Sequence, residues 1–138
     1  LDNFMVSSAL KLMVSQRLLR QLCPYCKVIY LPTEDEQQML QEHQHKTFYH
    51  SPGCNECYQT GFLGRVAVFE QLEMNQPLMH AVMENDYVSF ERLAERDLGG
   101  KHIFDRAIKL AEEQVVGLYD VLRFVSNNNL ERFVEDGD

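Results

Sequence analysis

Cys23-Pro24-Tyr25-Cys26 and Cys54-Asn55-Glu56-Cys57 are the same device written twice, and together they use every cysteine in the chain. A Cys-x-x-Cys stretch turns back on itself, so that its two sulfurs face one point. Two such knuckles brought together make a four-sulfur tetrahedral site, which suits zinc. Between Cys26 and Cys54 lie 27 residues, more than the roughly 15–20 of a compact zinc ribbon. A helix inserted between the knuckles accounts for the surplus. Pro24 stiffens the first knuckle, and Gly53 and Gly61 let the second turn. The same residues admit an iron site of this geometry, a redox pair or disulfides. A redox pair calls for a strand–helix setting that the flanking residues do not supply. The expected reading is a structural zinc held by Cys23, Cys26, Cys54 and Cys57. The segment 34–44 is poor in apolar residues, so the metal is expected to contribute folding energy. His50 lies four residues before Cys54, but four thiolates already complete the shell. His43 and His45 are expected in solvent, and His80 and His102 half-exposed among helices.

The 138 residues are enough for one domain or two small ones, and 45% hydrophobic with 25% charged residues is ordinary for a soluble domain. No apolar run reaches the roughly 18 residues that a membrane span needs, and the first residues lack a signal-peptide pattern. The expected location is therefore the cytoplasm, where disulfides are rare. The formal net charge is −8, and a dication on four thiolates would take it to about −10. That argues against a phosphate-binding face, and so against nucleic acid, and favours protein partners. The acidic pairs at 34–36 and 112–113 read as solvated faces. The chain starts at Leu1 with no initiator methionine, and reads as a piece of something longer.

Outward from the cysteines, residues 7–22 contain strong helix formers and no Gly or Pro, with Ser7 or Ser8 as N-cap. Their apolar residues spread around most of a helical circumference, so this leading helix is expected to be buried on more than one side. Residues 27–32 read as a short strand stopped by Pro32, and 46–50 as another. Thr33 and Glu36 have capping-box spacing and open a helix. Residues 65–72 alternate imperfectly through Val66, Val68 and Leu72, and read as a strand. Helices follow from Gln76, over 88–97, over 103–114 and over 118–125. Gly99-Gly100 ends the second of these, Ser126-Asn127-Asn128-Asn129 breaks the last, and the acidic terminus frays. The expected fold is mainly α with a small zinc-stabilised α/β module. It comprises a leading helix (1–22), a tetracysteine module with short strands (23–72) and a C-terminal helical bundle (73–138).

Gly61-Phe62-Leu63-Gly64-Arg65 is no phosphate loop, because it lacks the Gly-Lys-Ser/Thr ending and no helix follows it. It reads as a turn into a strand. Arg65 is expected either there or in a specific ion pair, with Glu70 or across a subunit boundary. The stretches 7–26 and 54–72, with Asp105-Arg106-Ala107-Ile108-Lys109 and 119–125, resemble the C-terminal part of the type II secretion and type IV pilus assembly ATPases. The residues that carry the likeness are Gln16, Arg17, Leu18, Leu19, Arg20, Leu22 and Cys23, then Gly61, Phe62, Gly64, Arg65 and Glu70. The likeness is specific up to about Leu72 and loose beyond. Residues 112–123 depart from the Gly-x-Thr-Ser-x-Glu-Glu-Val pattern usual in that family.

The resemblance implies a hexameric cytoplasmic ATPase at the bacterial inner membrane, powering pilin or pseudopilin assembly with ATP and Mg²⁺. It implies that residues 1–22 are the last helix of a RecA-like motor domain. The chain's partners would be that motor domain, neighbouring subunits and an inner-membrane platform protein. Arg17, Gly61, Gly64, Arg65 and Glu70 become structural or interface candidates. The chain holds no Walker A motif and no acidic Walker B strand, so it is expected to be non-catalytic, with a force-coupling role. The alternative is a free-standing zinc ribbon that binds nucleic acid or a regulatory protein; against it, 13 Lys and Arg face 21 Asp and Glu.

Overall fold

Ser7 and Ser8 end a helix instead of starting one. The computed structural model describes residues 2–40, 43 and 46–123. Its first helix, α1, is Asn3–Ala9, capped by the Asp2 side chain, which accepts the Phe4 N–H at 3.0 Å. The Ser7 and Ser8 hydroxyls turn back to the carbonyls of Phe4 and Met5, both at 3.0 Å. This local bonding competes with helix continuation, and the backbone is extended at Leu10. Leu12–Leu22 is then a strand, β1. The expected leading helix over 7–22 is thus a correction. Apolar residues on all sides of a helical projection also fall on both faces of a strand, and tertiary pairing overrides intrinsic helix propensity. Met13, Ser15 and Leu19 point inward, whereas Leu12, Val14 and Leu18 are 48%, 56% and 58% exposed.

Three short elements follow: β2, Val28–Tyr30; α2, Glu34–Leu40; and β3, Phe48–His50. The partner of β1 is β4, Phe62–Glu73. Cys23 N–H donates to Gly61 O and Met74 N–H to Lys11 O, both at 2.9 Å, so the pair runs antiparallel. From Gly61 to Met74 is one residue more than from Lys11 to Cys23. Gly64, at φ +80°, can absorb it as a bulge. The helices α3 (Gln76–Met83), α4 (Tyr87–Leu98) and α5 (Ile103–Glu112) complete the described elements, with helical turns again at 118–123. The rest of that last helix, the Asn-rich break and the acidic terminus lie outside the described residues. So do His45 and most of the loop before it. Mainly helical with small antiparallel sheets is therefore what the described chain shows.

Two compact units are present: Leu1–Arg17 with Phe69–Ile103, and Leu18–Val68 with Phe104–Asp138. Of the described helices, α3 and α4 belong to the first unit, and α5 belongs to the second beyond Ile103. In the first unit Leu72, Met74 and Leu78 form the core, packed by Leu10, Met13, Val82, Phe90, Leu93, Ala94 and Leu98. Asn75 caps α3 by accepting the Leu78 N–H, and donates to Asp97 at 2.6 Å. Gly99, left-handed at φ +48°, closes α4.

The second unit buries Leu19, Leu22, Leu40, Phe48, Val68, Ala107, Ile108, Ala111, Val116, Leu118 and Val121. There β2 pairs with β3 in the register Val28↔His50, Ile29↔Tyr49, Tyr30↔Phe48. The capping box of α2 forms as spaced: Glu36 N–H donates to Thr33 Oγ1 at 3.3 Å, and Thr33 N–H to Glu36 Oε2 at 2.9 Å. The inter-knuckle segment is tied to α5 through Glu112, which meets His43 at 3.0 Å and Lys46 at 3.6 Å.

Candidate metal centre

The cysteines sit in two turns of the second unit. Cys23 follows the last residue of β1, and its N–H is fixed to Gly61 O across the end of the strand pair. The first knuckle then turns back toward β2. The second is a short 3₁₀ turn, Asn55–Cys57, followed by two left-handed residues, Tyr58 and Gln59. Those conformations bring Gln59 N–H back to Cys54 O at 2.8 Å and Thr60 N–H to Cys57 O at 3.0 Å. The glycines around this knuckle are sterically required. A Cβ on Gly61 would lie 2.3 Å from Ser51 O, and one on Gly53 would lie 2.7 Å from Gln59 O.

All four sulfurs lie within 4.8 Å of one another. Cys23–Cys54 is 3.8 Å, Cys54–Cys57 is 3.7 Å and Cys26–Cys57 is 4.0 Å. A tetrahedron with Zn–S of about 2.3 Å has sulfur–sulfur edges of about 3.8 Å, whereas a disulfide needs about 2.05 Å. The cysteines are free, and their spacing fits one four-coordinate metal. The protonation chemistry points the same way. Burial pushes the Cys26 thiol up to about 12, with the thiols of Cys23, Cys54 and Cys57 adding to the rise against the Gly53 N–H. Burial also acts to raise Cys57, but the N–H groups of Cys54 and Gly61 and the Cys54 and Cys23 thiols outweigh it and bring the group to about 6. Thiols this close cannot all ionise unless a cation offsets the charge. Cys57 Sγ accepts both N–H bonds at 3.2 Å, which orient it for a metal in advance. His50 stands apart from the cluster, its ring edge-on to Tyr30 at 5.6 Å between centroids.

The remaining candidates are dispersed. Gly61 belongs to the centre through its N–H and its carbonyl. Gly64 lies under Gln21, whose Oε1 would be 2.7 Å from a Cβ there. Arg17 is exposed and, among the described residues, donates to Gln16 O at 3.0 Å. Arg65 is exposed and makes no ion pair among the described residues. Its pairing with Glu70 does not occur, because residues five apart on a strand face opposite sides. Glu70 shares the inward face of β4 with Val66, Val68 and Leu72. There it accepts the Ile103 N–H at 3.0 Å and lies 3.7 Å from His102 Nδ1. That carboxylate caps α5 from a neighbouring strand, where the helix leaves N–H groups unpaired. It also explains the imperfect alternation of the strand.

One pair escaped the sequence reading. Asp120 is buried and takes three bonds from Arg20: Nη2 at 2.6 Å, Nε at 3.0 Å and the backbone N–H at 3.3 Å. The Arg20 guanidinium also stacks over Phe62, 4.0 Å from the ring centroid. The bond to Asp120 raises the Arg20 pKa. Arg20→Ala leaves a buried carboxylate with one remaining donor. Because the arginine side chain is 45% exposed, the expected cost is discounted from the value for a fully buried pair to about 2 kcal/mol. Denaturant unfolding at neutral pH measures it, and a change below about 0.5 kcal/mol would refute the role.

A model of the Type II/IV secretion system protein family matches residues 1–123. Putative type II secretion system protein E of Escherichia coli (strain K12) is 37% identical over 95 residues, covering 67% of this chain and 19% of that protein. Type II secretion system protein E of Pseudomonas aeruginosa is 30% identical over 125 residues, 89% of this chain and 25% of that protein. The type IV pilus assembly ATPase PilB of Thermus thermophilus is 30% identical over 125 residues, 88% of this chain and 14% of that protein. The chain therefore spans a quarter or less of these relatives' length.

Proposed function

The chain belongs to the type II/IV secretion system protein family, and on that premise we propose that it is a non-catalytic, zinc-bearing part of a secretion or pilus-assembly ATPase. The observation that carries the reading is the set of four sulfurs within 4.8 Å of one another, at near-tetrahedral spacing. Cys23, Cys26, Cys54 and Cys57 would hold one Zn²⁺. A closed tetrathiolate leaves no open position for substrate, so the metal's part is structural. Residues 1–22 would close the motor domain, ending it in a strand where a helix was expected. Residues 23–72 would be the metal module and 73–138 the C-terminal helical region of the whole protein.

The apolar outward residues Leu12 and Val14 support that boundary, because in isolation they face water. ATP and Mg²⁺ belong to the motor of the whole protein, which would assemble pilins or pseudopilins from the cytoplasmic side of the inner membrane as a hexamer. Among the described residues no helix is long and apolar enough to cross a membrane. This region would pass motor movement to neighbouring subunits and to the membrane platform protein, and the net charge of −8 suits protein partners over nucleic acid. The purified chain is expected to carry one zinc per molecule by elemental analysis and to show no ATP turnover. Zinc well below one equivalent, or ATP hydrolysis by this chain alone, overturns the proposal.

A further inference from the structure

The two knuckles are held in different ways. The second is held by its own turn: Cys57 Sγ takes the N–H groups of Cys54 and Gly61, each at 3.2 Å, and Cys54 Sγ takes the Cys57 N–H. The first is gripped at its base by a distant segment. Leu22, just before Cys23, donates its N–H to Val115 O at 2.8 Å. Lys27, just after Cys26, donates from Nζ to Gln114 O at 3.3 Å. Two consecutive carbonyls therefore tie the residues on either side of one Cys-x-x-Cys stretch. Both belong to the segment that follows α5. Gln114 is left-handed at φ +64° and turns the chain out of that helix, with its N–H on Ala111 O at 3.1 Å and the Val115 N–H on Leu110 O at 2.9 Å. The segment then meets the end of β1 in the antiparallel bridge Gln21↔Val116. A Cβ on Gly117 would stand 3.5 Å from the Leu22 side chain and 3.9 Å from Tyr49 O, so the segment lies against both. Val116, Gly117 and Leu118 are buried. At the far end Asp120 is fixed to Arg20 by three bonds.

We propose that residues 114–120 are a strap that keeps the first knuckle closed on the metal, with Lys27 as its positioning residue, so that metal release is governed from the C-terminal side of the unit. This rests on the metal reading above. A closed four-sulfur centre lets its ion go only when a knuckle swings away. For the second knuckle that means breaking bonds within its own turn. The first opens once Leu22 and Lys27 part from Val115 and Gln114. Its other backbone ties, Cys23 N–H to Gly61 O at 2.9 Å and Ser51 Oγ to Cys23 O at 3.2 Å, run toward the second knuckle and part as it swings. Lys27 is no ligand, because an ammonium has no lone pair to give; it acts by fixing the chain that leaves Cys26. The strap runs straight into the helical turns at 118–123. A shift of those turns is therefore felt at Cys23 and Cys26, and an occupied centre in turn favours the seated strap, since such coupling is reciprocal.

The test is the rate at which the zinc-loaded chain passes its metal to an excess of a chromophoric chelator, with zinc content measured beforehand. Lys27→Met removes the bond to Gln114 O and keeps the apolar stem, whereas Lys27→Arg keeps a donor. Lys27→Met is expected to speed release about fivefold, the worth of one hydrogen bond, and Lys27→Arg to stay within about twofold of the parent chain. Native-state hydrogen exchange at the buried Ile108 and Ala111 should be unchanged in both. A general loss of stability would instead speed release only together with loss of protection at those two amides. That result, an unchanged rate in Lys27→Met, or equal acceleration in both variants, overturns the strap and leaves the metal reading intact when the chain starts with one equivalent of zinc. Starting zinc well below one equivalent overturns the metal reading itself, and the strap with it.

Discussion

Cys57→Ser is expected to strip the centre of its metal and unfold the cysteine-bearing unit. Cys57 is 1% exposed and is the sulfur with two N–H donors already in place. A serine hydroxyl in the same place is a poor ligand at neutral pH. Structural zinc sites contribute roughly 10–16 kcal/mol of apparent binding energy, comparable with or larger than the whole stability of a typical domain. The inter-knuckle segment supplies little to replace it: β2 and β3 pair over only three residues each. Native-state hydrogen exchange provides the measure. Amides of Gly61 and Cys23 and those of β2 and β3 should lose protection in the variant. The core around Leu72, Met74 and Leu78, which packs within the other unit, should keep most of its protection. Full zinc retention with unchanged protection at Gly61 would refute the assignment.

Gly61→Ala is the second large expected effect, and it separates two physical causes. Gly61 sits at φ +79°, and an added Cβ would stand 2.3 Å from the backbone oxygen of Ser51. Relief requires a backbone shift that also disturbs the bonds from Gly61 N–H to Cys57 Sγ and from Cys23 N–H to Gly61 O. Left-handed strain alone costs about 1–2 kcal/mol. The clash and the two weakened bonds should bring the total to about 4 kcal/mol. Gly100→Ala is the control: its φ is +76°, and a Cβ there meets nothing within 4 Å. In thermal unfolding with saturating zinc, Gly61→Ala should fall well below Gly100→Ala. Equal midpoints would mean that the crowding at Ser51 is relieved without cost.

The cysteine cluster was legible because Cys-x-x-Cys is a local geometric instruction, and two copies leave few ways to satisfy four sulfurs. The helix of Glu34–Leu40 was legible for a similar reason, since Thr33 and Glu36 exchange bonds within one turn. The stretch 7–22 was misread because its apolar residues fit either period, and what decides is the pairing of β1 with β4, some fifty residues away. Asp120 could not be matched to Arg20 across 100 residues of chain. Glu70 was offered as a partner for Arg65 because its bond to a backbone N–H at the start of α5 is one that no side-chain pattern announces. The family likeness rested on residues 7–26 and 54–72, the same stretches that build the strand pair and the knuckles.

Cobalt substitution tests the central claim most directly. Co²⁺ titrated into the metal-free chain is expected to produce the visible bands of a tetrahedral tetrathiolate, together with sulfur-to-metal charge transfer, saturating at one equivalent and abolished by added Zn²⁺. A titration that yields only the weak spectrum of octahedral cobalt, or none at all, would contradict a four-cysteine metal centre.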